Sequence, residues 1–122
     1  MITICKRFEF HAAHHLPNHK GKCKNVHGHT YLLDIEVTGG VQKIGRQKGM
    51  IMDFGDLKYL VDENILGMVD HKDLNTLWNN PTAEVMVDEV AGRLRRALPR
   101  HIELIRVRLY ETATSYAEWR KG

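Results

Sequence analysis

Long apolar runs are absent from this chain, and with them any segment long enough to cross a bilayer as a helix. The N-terminus, MITICKRFEF, reads as a strand and lacks the apolar stretch and small-residue cleavage site of an export signal. A cytoplasmic location without a membrane partner is the expectation. Cysteine is scarce. Only Cys5 and Cys23 occur, and without an export signal they are expected as free thiols rather than a disulfide. An excess of charge of one sign is nearly missing too. Eighteen Lys+Arg against 15 Asp+Glu leave +3, which suits a small anionic substrate and is too slight to argue for a nucleic-acid partner. Repeats, low-complexity tracts and linkers are lacking. With 122 residues, 43% hydrophobic and 27% charged, a single globular domain over residues 1–122 with one core is expected.

What is present is strand patterning that ends in histidine. A first strand is predicted from about Thr3 to Ala13, with Ile4, Lys6, Phe8, Phe10 and Ala12 on one face and His14 in phase after them. From His27 the alternate positions read His27, His29, Tyr31, Leu33, Ile35 and Val37, until Thr38-Gly39-Gly40 breaks the run. Residues 41–49 read as a loose basic loop, and Gly49–Met52 as a short strand leading to Asp53, a helix N-cap. The helix that follows carries Leu57, Leu60, Val61, Ile65, Met68 and Val69 at helical spacing. A second helix starts after Asn80-Pro81 with Thr82 as its cap, presents Val87, Val90, Ala91, Leu94, Ala97 and Leu98, and stops at Pro99. A third strand runs Ile102 to Glu111, with Ile105, Val107, Leu109 and Glu111 on one face, and a last one Tyr116 to Arg120. The order β-β-α-α-β-β predicts an α+β fold, a four-stranded antiparallel sheet with both helices on one face.

His27-Gly28-His29 is the most informative segment. Alternate residues of a strand share a face, so two imidazoles stand side by side, a pairing that suits zinc. His14, in phase on the neighbouring strand, makes a third ligand, and three neutral imidazoles leave a tetrahedral ion one open position. Cys23, within the basic run His19–Lys24, has two readings. It closes the site as a fourth, structural ligand, or it stands beside the metal as a base whose thiolate is favoured by Lys20, Lys22 and Lys24. The spacing accommodates both. His11, His15 and His19 are spare histidines, with His11 facing away from His14. Asp70-His71, between the helices, suits a carboxylate that orients an imidazole for proton transfer. Glu111, at a strand end, can accept two parallel hydrogen bonds from an amino-amide edge such as that of guanine or a pterin.

Six blocks in order, FHAAHHLP, GKCKNVHGHTY, MDFGDLK, VDHKDLN, NPTAEV and YETATSYAEW, resemble the 6-pyruvoyl-tetrahydropterin synthase family over nearly the full length. The short Cys-x3-His-Gly-His spacing looks like its bacterial branch, the 6-carboxy-5,6,7,8-tetrahydropterin synthases of the queuosine pathway. The resemblance implies zinc (Zn2+) on His14, His27 and His29, and Cys23 as proton acceptor. It implies Asp70, His71 and Glu111 in the proton relay, with Glu111 also anchoring the pterin and Thr82 assisting substrate binding. One departure is His15, where many relatives carry arginine. The family's tunnelling fold joins sheets of several subunits into a barrel with active sites between them. A homo-oligomer, a hexamer of two stacked trimers, is therefore implied. So is a lyase acting on 7,8-dihydroneopterin triphosphate. The rivals are triphosphate elimination alone, giving 6-pyruvoyl-tetrahydropterin, and a non-catalytic zinc-stabilised module that binds RNA through its mild positive charge.

Overall fold

A computed structural model describes all residues 1–122. Four long strands form the antiparallel sheet: β1 (Thr3–His14), β2 (His27–Gly39), β4 (Ile102–Thr112) and β5 (Ser115–Arg120). A fifth, two-residue strand, β3 (Lys72–Asp73), adds to β1 in parallel, so the sheet order is β3-β1-β2-β4-β5. Nothing in two residues of charged sequence signals a strand; β3 exists because the chain around it is held against His11.

The alternation of β1 and β2 buries Phe8, Phe10, Ala12 and His14 from one strand and Tyr31, Leu33, Ile35 and Val37 from the other. Phe10 and Tyr31 stack at 4.8 Å, cross-strand partners on that face. Two stretches of helix cover it. The first, α1 (Phe54–Val61), is capped by Asp53, whose carboxylate accepts from Gly55 N at 2.7 Å and Asp56 N at 3.3 Å. It continues through a wider-wound turn, Asp62–Leu66, into α2 (Gly67–Val69). Leu57, Val61, Ile65 and Val69 are its buried stripe. The second, α3 (Ala83–Ala97), buries Met86, Val87, Val90, Ala91 and Leu94, with Thr82 Oγ1 accepting from Val85 N at 3.1 Å. Pro99 follows its last turn.

Two expectations need correcting. Residues 49–52 are not a strand. Gly49 takes φ +84° and the segment folds back, with Gly49 N donating to Gln42 O and Met50 N to Gln47 O, while Ile51 and Met52 drop into the core. In β4 the inward face is Ile102 and Leu104, then Val107 and Leu109, and Ile105 is only half-buried. The cause is a bulge. Glu36 pairs Arg106 and Val37 pairs Leu104, so Ile105 is the extra residue and the alternation inverts there. A second irregularity lies between Tyr110 and Thr112, at Glu111.

The helix-free face of the sheet is charged rather than apolar. Arg7 grips Asp34 through two bonds of 2.7 Å and 2.9 Å, Arg106 donates to Glu36 at 2.7 Å, and Arg108 to Glu118 at 2.7 Å. No helix is long and apolar enough to cross a membrane.

Candidate metal centre and active site

The strand register builds the centre. His14 lies directly across from His27, and Ala12 across from His29, so three imidazoles converge at one end of the β1–β2 pair. Their ligand atoms all lie within 4.8 Å of one another, and the ring centroids are 4.7, 5.1 and 4.9 Å apart. His14 is fully buried. Its Nδ1 sits 2.7 Å from Pro81 O, and since a carbonyl only accepts, that nitrogen carries the proton and Nε2 is left bare. His27 repeats the device with Asn25 O at 2.8 Å. These are the outer contacts that hold a ligating histidine in the right tautomer.

The centre fits a metal ion on the observation of its orphaned atoms. His14 Nε2 and His29 Nε2 are buried without a hydrogen-bond partner, a costly arrangement unless something else satisfies them. Burial also pushes the His29 imidazole toward its neutral, ligating form, outweighing the opposing pull of Glu111. Glu111 Oε1 stands 3.3 Å from His14 Nε2 and 3.8 Å from His29 Nε2, in phase with the buried Val107 and Leu109. Tyr31, beneath the centre, has its phenol pushed well above the usual range by burial and then by Glu111. Three imidazoles with one carboxylate at the rim form an open, nitrogen-rich site.

Other site candidates are placed differently. Cys23 is half-buried in a short 3-10 turn, Lys22–Lys24, with its carbonyl accepting from Leu16 N at 2.7 Å. The imidazole cluster forms without its sulfur. Asp70 and His71 are joined to each other, Oδ1 to Nδ1 at 3.0 Å, and clamped to β1: His11 N donates to Asp70 Oδ1 at 3.0 Å and His71 N to His11 O at 2.6 Å. The His11 amide, then His71, holds the Asp70 carboxyl below its usual range. The pair therefore stands at the outer edge of β1, next to β3, with the His71 ring against the exposed ring of His11. Within one chain no hydrogen bond or ion pair links Cys23, Asp70 or His71 to the three imidazoles. Thr82 is the cap of α3 and adjoins Pro81, whose carbonyl holds His14.

Sequence reading missed the Pro81 carbonyl and Asn75. The Asn75 side chain accepts from His15 N at 2.9 Å and donates to His15 O at 3.0 Å, pinning the chain just beyond His14. Asn75 lies in VDHKDLN, which was its only signal.

Residues 3–122 match the sequence pattern of the family described as 6-pyruvoyl tetrahydropterin synthase. The chain belongs to that family. Within this enzyme family it is 34% identical to the 6-carboxy-5,6,7,8-tetrahydropterin synthase of Haemophilus influenzae, over 99% of this chain and 100% of that one. It is 35% identical to the dihydroneopterin monophosphate aldolase of Pyrococcus furiosus, over 88% of each. The 6-pyruvoyl tetrahydropterin synthase of Caenorhabditis elegans has the same fold, with a TM-score of 0.83, 24% identity, and 99% and 96% of the two chains covered. The tunnelling-fold expectation, an α+β sheet with helices on one face, therefore stands, with the sheet of a single chain left open.

Proposed function

We propose that this chain is a zinc-dependent lyase. It would convert 7,8-dihydroneopterin triphosphate and water to 6-carboxy-5,6,7,8-tetrahydropterin, acetaldehyde and triphosphate, in the route to 7-deazaguanine nucleosides. The observation that carries this reading is the cluster of three imidazoles, one buried and two half-buried, with Glu111 at its rim, in a chain whose relatives at this identity include a synthase of that name.

His14, His27 and His29 would hold the ion through Nε2 of His14 and His27, whose Nδ1 atoms are committed to carbonyls, and through the buried Nε2 of His29. Zinc bound there supplies Lewis acidity toward a neighbouring hydroxyl. Glu111 presents a carboxylate to the amino-amide edge of the pterin, orienting the ring and leaving the side chain toward the imidazoles. Cys23, as thiolate, accepts a proton from a side-chain carbon. Asp70 fixes the tautomer of His71 through Nδ1, so that Nε2 exchanges protons with the substrate oxygens. Triphosphate then leaves, the side chain is oxidised as the ring is reduced, and carbon–carbon cleavage releases acetaldehyde. Separation of Asp70 and His71 from the imidazoles within one chain supports an assembly in which neighbouring subunits complete each site, a hexamer of two stacked trimers. The outward edges of β1 and β5, unpaired over most of their length, are the surfaces such a ring would join.

The test is a single incubation of zinc-loaded protein with 7,8-dihydroneopterin triphosphate, following acetaldehyde and pterins together. Acetaldehyde with 6-carboxytetrahydropterin is the expected outcome. Triphosphate release with a pyruvoyl product and no acetaldehyde would move the chain to the sister activity. The aldolase name of one 35% identical relative makes product identity the deciding readout.

A further inference from the structure

We propose that His11 and His71 form a second transition-metal site, at the outer edge of β1 and separate from the three-histidine cluster, and that filling it inhibits the enzyme. The binding part stands on geometry alone; the inhibitory part rests on the proton-transfer role proposed for His71.

The two rings face each other with centroids 5.8 Å apart and tilted 60°. In the three-histidine centre the corresponding spacings reach 5.1 Å. Both rings are at the surface, and a modest change in χ1 of either closes that difference. Each ring commits Nδ1 to a neighbour and leaves Nε2 outward: His71 Nδ1 to Asp70 Oδ1 at 3.0 Å, His11 Nδ1 to Thr30 Oγ1 at 3.1 Å. His14 and His27 also have Nδ1 committed, there to carbonyls, and a carboxylate behind a histidine, as at His71, is the outer contact characteristic of metal ligation. A hard oxygen donor is also at hand, since Glu9 Oε2 lies 3.5 Å from His11 Nε2. The backbone enforces the pairing. His71 takes φ +59°, a left-handed conformation costly for a side chain of this size, and the two backbone contacts to His11 hold it there. With Lys72 and Asp73, the two histidines line a shallow concavity of about 590 Å³ that also reaches His29 and admits a solvated ion. Two imidazoles and a carboxylate suit zinc, copper or nickel rather than magnesium or calcium. An ion on His71 Nε2 would occupy the lone pair that proton transfer requires.

The test is a zinc titration of the intact protein by calorimetry, with turnover measured across the same concentrations. Two classes of site are expected in the wild type: a tight one lost in His27→Ala, and a weaker one lost in His11→Gln but kept in His19→Ala. Loss of a ligand should weaken the second class by more than the roughly 10–100-fold that outer-contact losses cost. Inhibition by excess zinc, scored against each variant's own uninhibited rate, should disappear in His11→Gln and persist in His19→Ala. A single class in the wild type, or a weak class that survives His11→Gln, overturns the site. A weak class that depends on His11 but leaves turnover untouched when filled overturns the inhibition and the role given to His71, while the metal site stands.

Discussion

At the scale of single residues, two of the three imidazoles are each held by one backbone carbonyl, His14 by Pro81 O and His27 by Asn25 O. His27→Ala leaves two imidazoles, and zinc content measured on the purified protein is expected to fall from one ion per chain to a small residual. Cys23→Ala should behave oppositely. Because the imidazole cluster forms without its sulfur, that variant is expected to keep its zinc and lose turnover by roughly 10²- to 10⁴-fold, the range for a positioned acid or base. Loss of zinc along with activity would instead make Cys23 a ligand. Glu36 gives a pH prediction. The Thr3 hydroxyl at 2.6 Å, then the Arg106 guanidinium, holds its carboxyl below the usual range. A carboxyl whose folded pKa is depressed stabilises the fold above its unfolded pKa, and that stability disappears as pH falls through the folded value. The thermal midpoint should therefore drop on acidification below about pH 4.3, and less steeply in Glu36→Gln. Equal slopes would show that this network contributes nothing.

At the scale of elements, a strand end and a helix start carry more than their length suggests. Glu111, in phase with the buried Val107 and Leu109 near the end of β4, brings one carboxylate close to two imidazoles on different strands. The start of α3 couples stability to the centre. Thr82 caps the helix, and the preceding residue, Pro81, supplies the carbonyl that fixes the His14 tautomer. Thr82→Ala is expected to cost about 1 kcal/mol in a denaturant titration. Fraying that turn also loosens Pro81 O, so zinc affinity, measured by competition with a chelator, should fall by about tenfold or more. A stability loss with unchanged affinity would uncouple the helix start from the centre.

At the scale of the whole molecule, one chain holds the imidazoles and Glu111 on the helix side of its sheet and the Asp70–His71 pair beyond β1. If subunits complete each other's sites, two inactive variants can rescue one another. Cys23→Ala and His71→Ala, mixed and allowed to exchange subunits, are expected to recover a measurable fraction of wild-type turnover. Persistent inactivity in demonstrably mixed oligomers would place all the groups of one site in a single chain.

Much of this arrangement is written in local sequence, because local rules produce it. Alternation along Thr3–His14 and His27–Val37 determines that His14, His27 and His29 share the apolar face, since a strand turns each alternate side chain the same way. Asp53, Thr82 and Pro99 mark helix ends through groups that act within a few residues. What depends on distant contacts was not legible there. The bulge at Ile105 arises from the register between β2 and β4, and it inverts the face that β4 alternation alone assigns. The strand β3 exists only because His11 clamps residues 70 and 71, and the Pro81 carbonyl that holds His14 comes from 67 residues away. Sequence by itself determined which side chains face together; which of them meet was decided by tertiary packing, because register and backbone hydrogen bonds between distant segments leave no periodic trace in the chain.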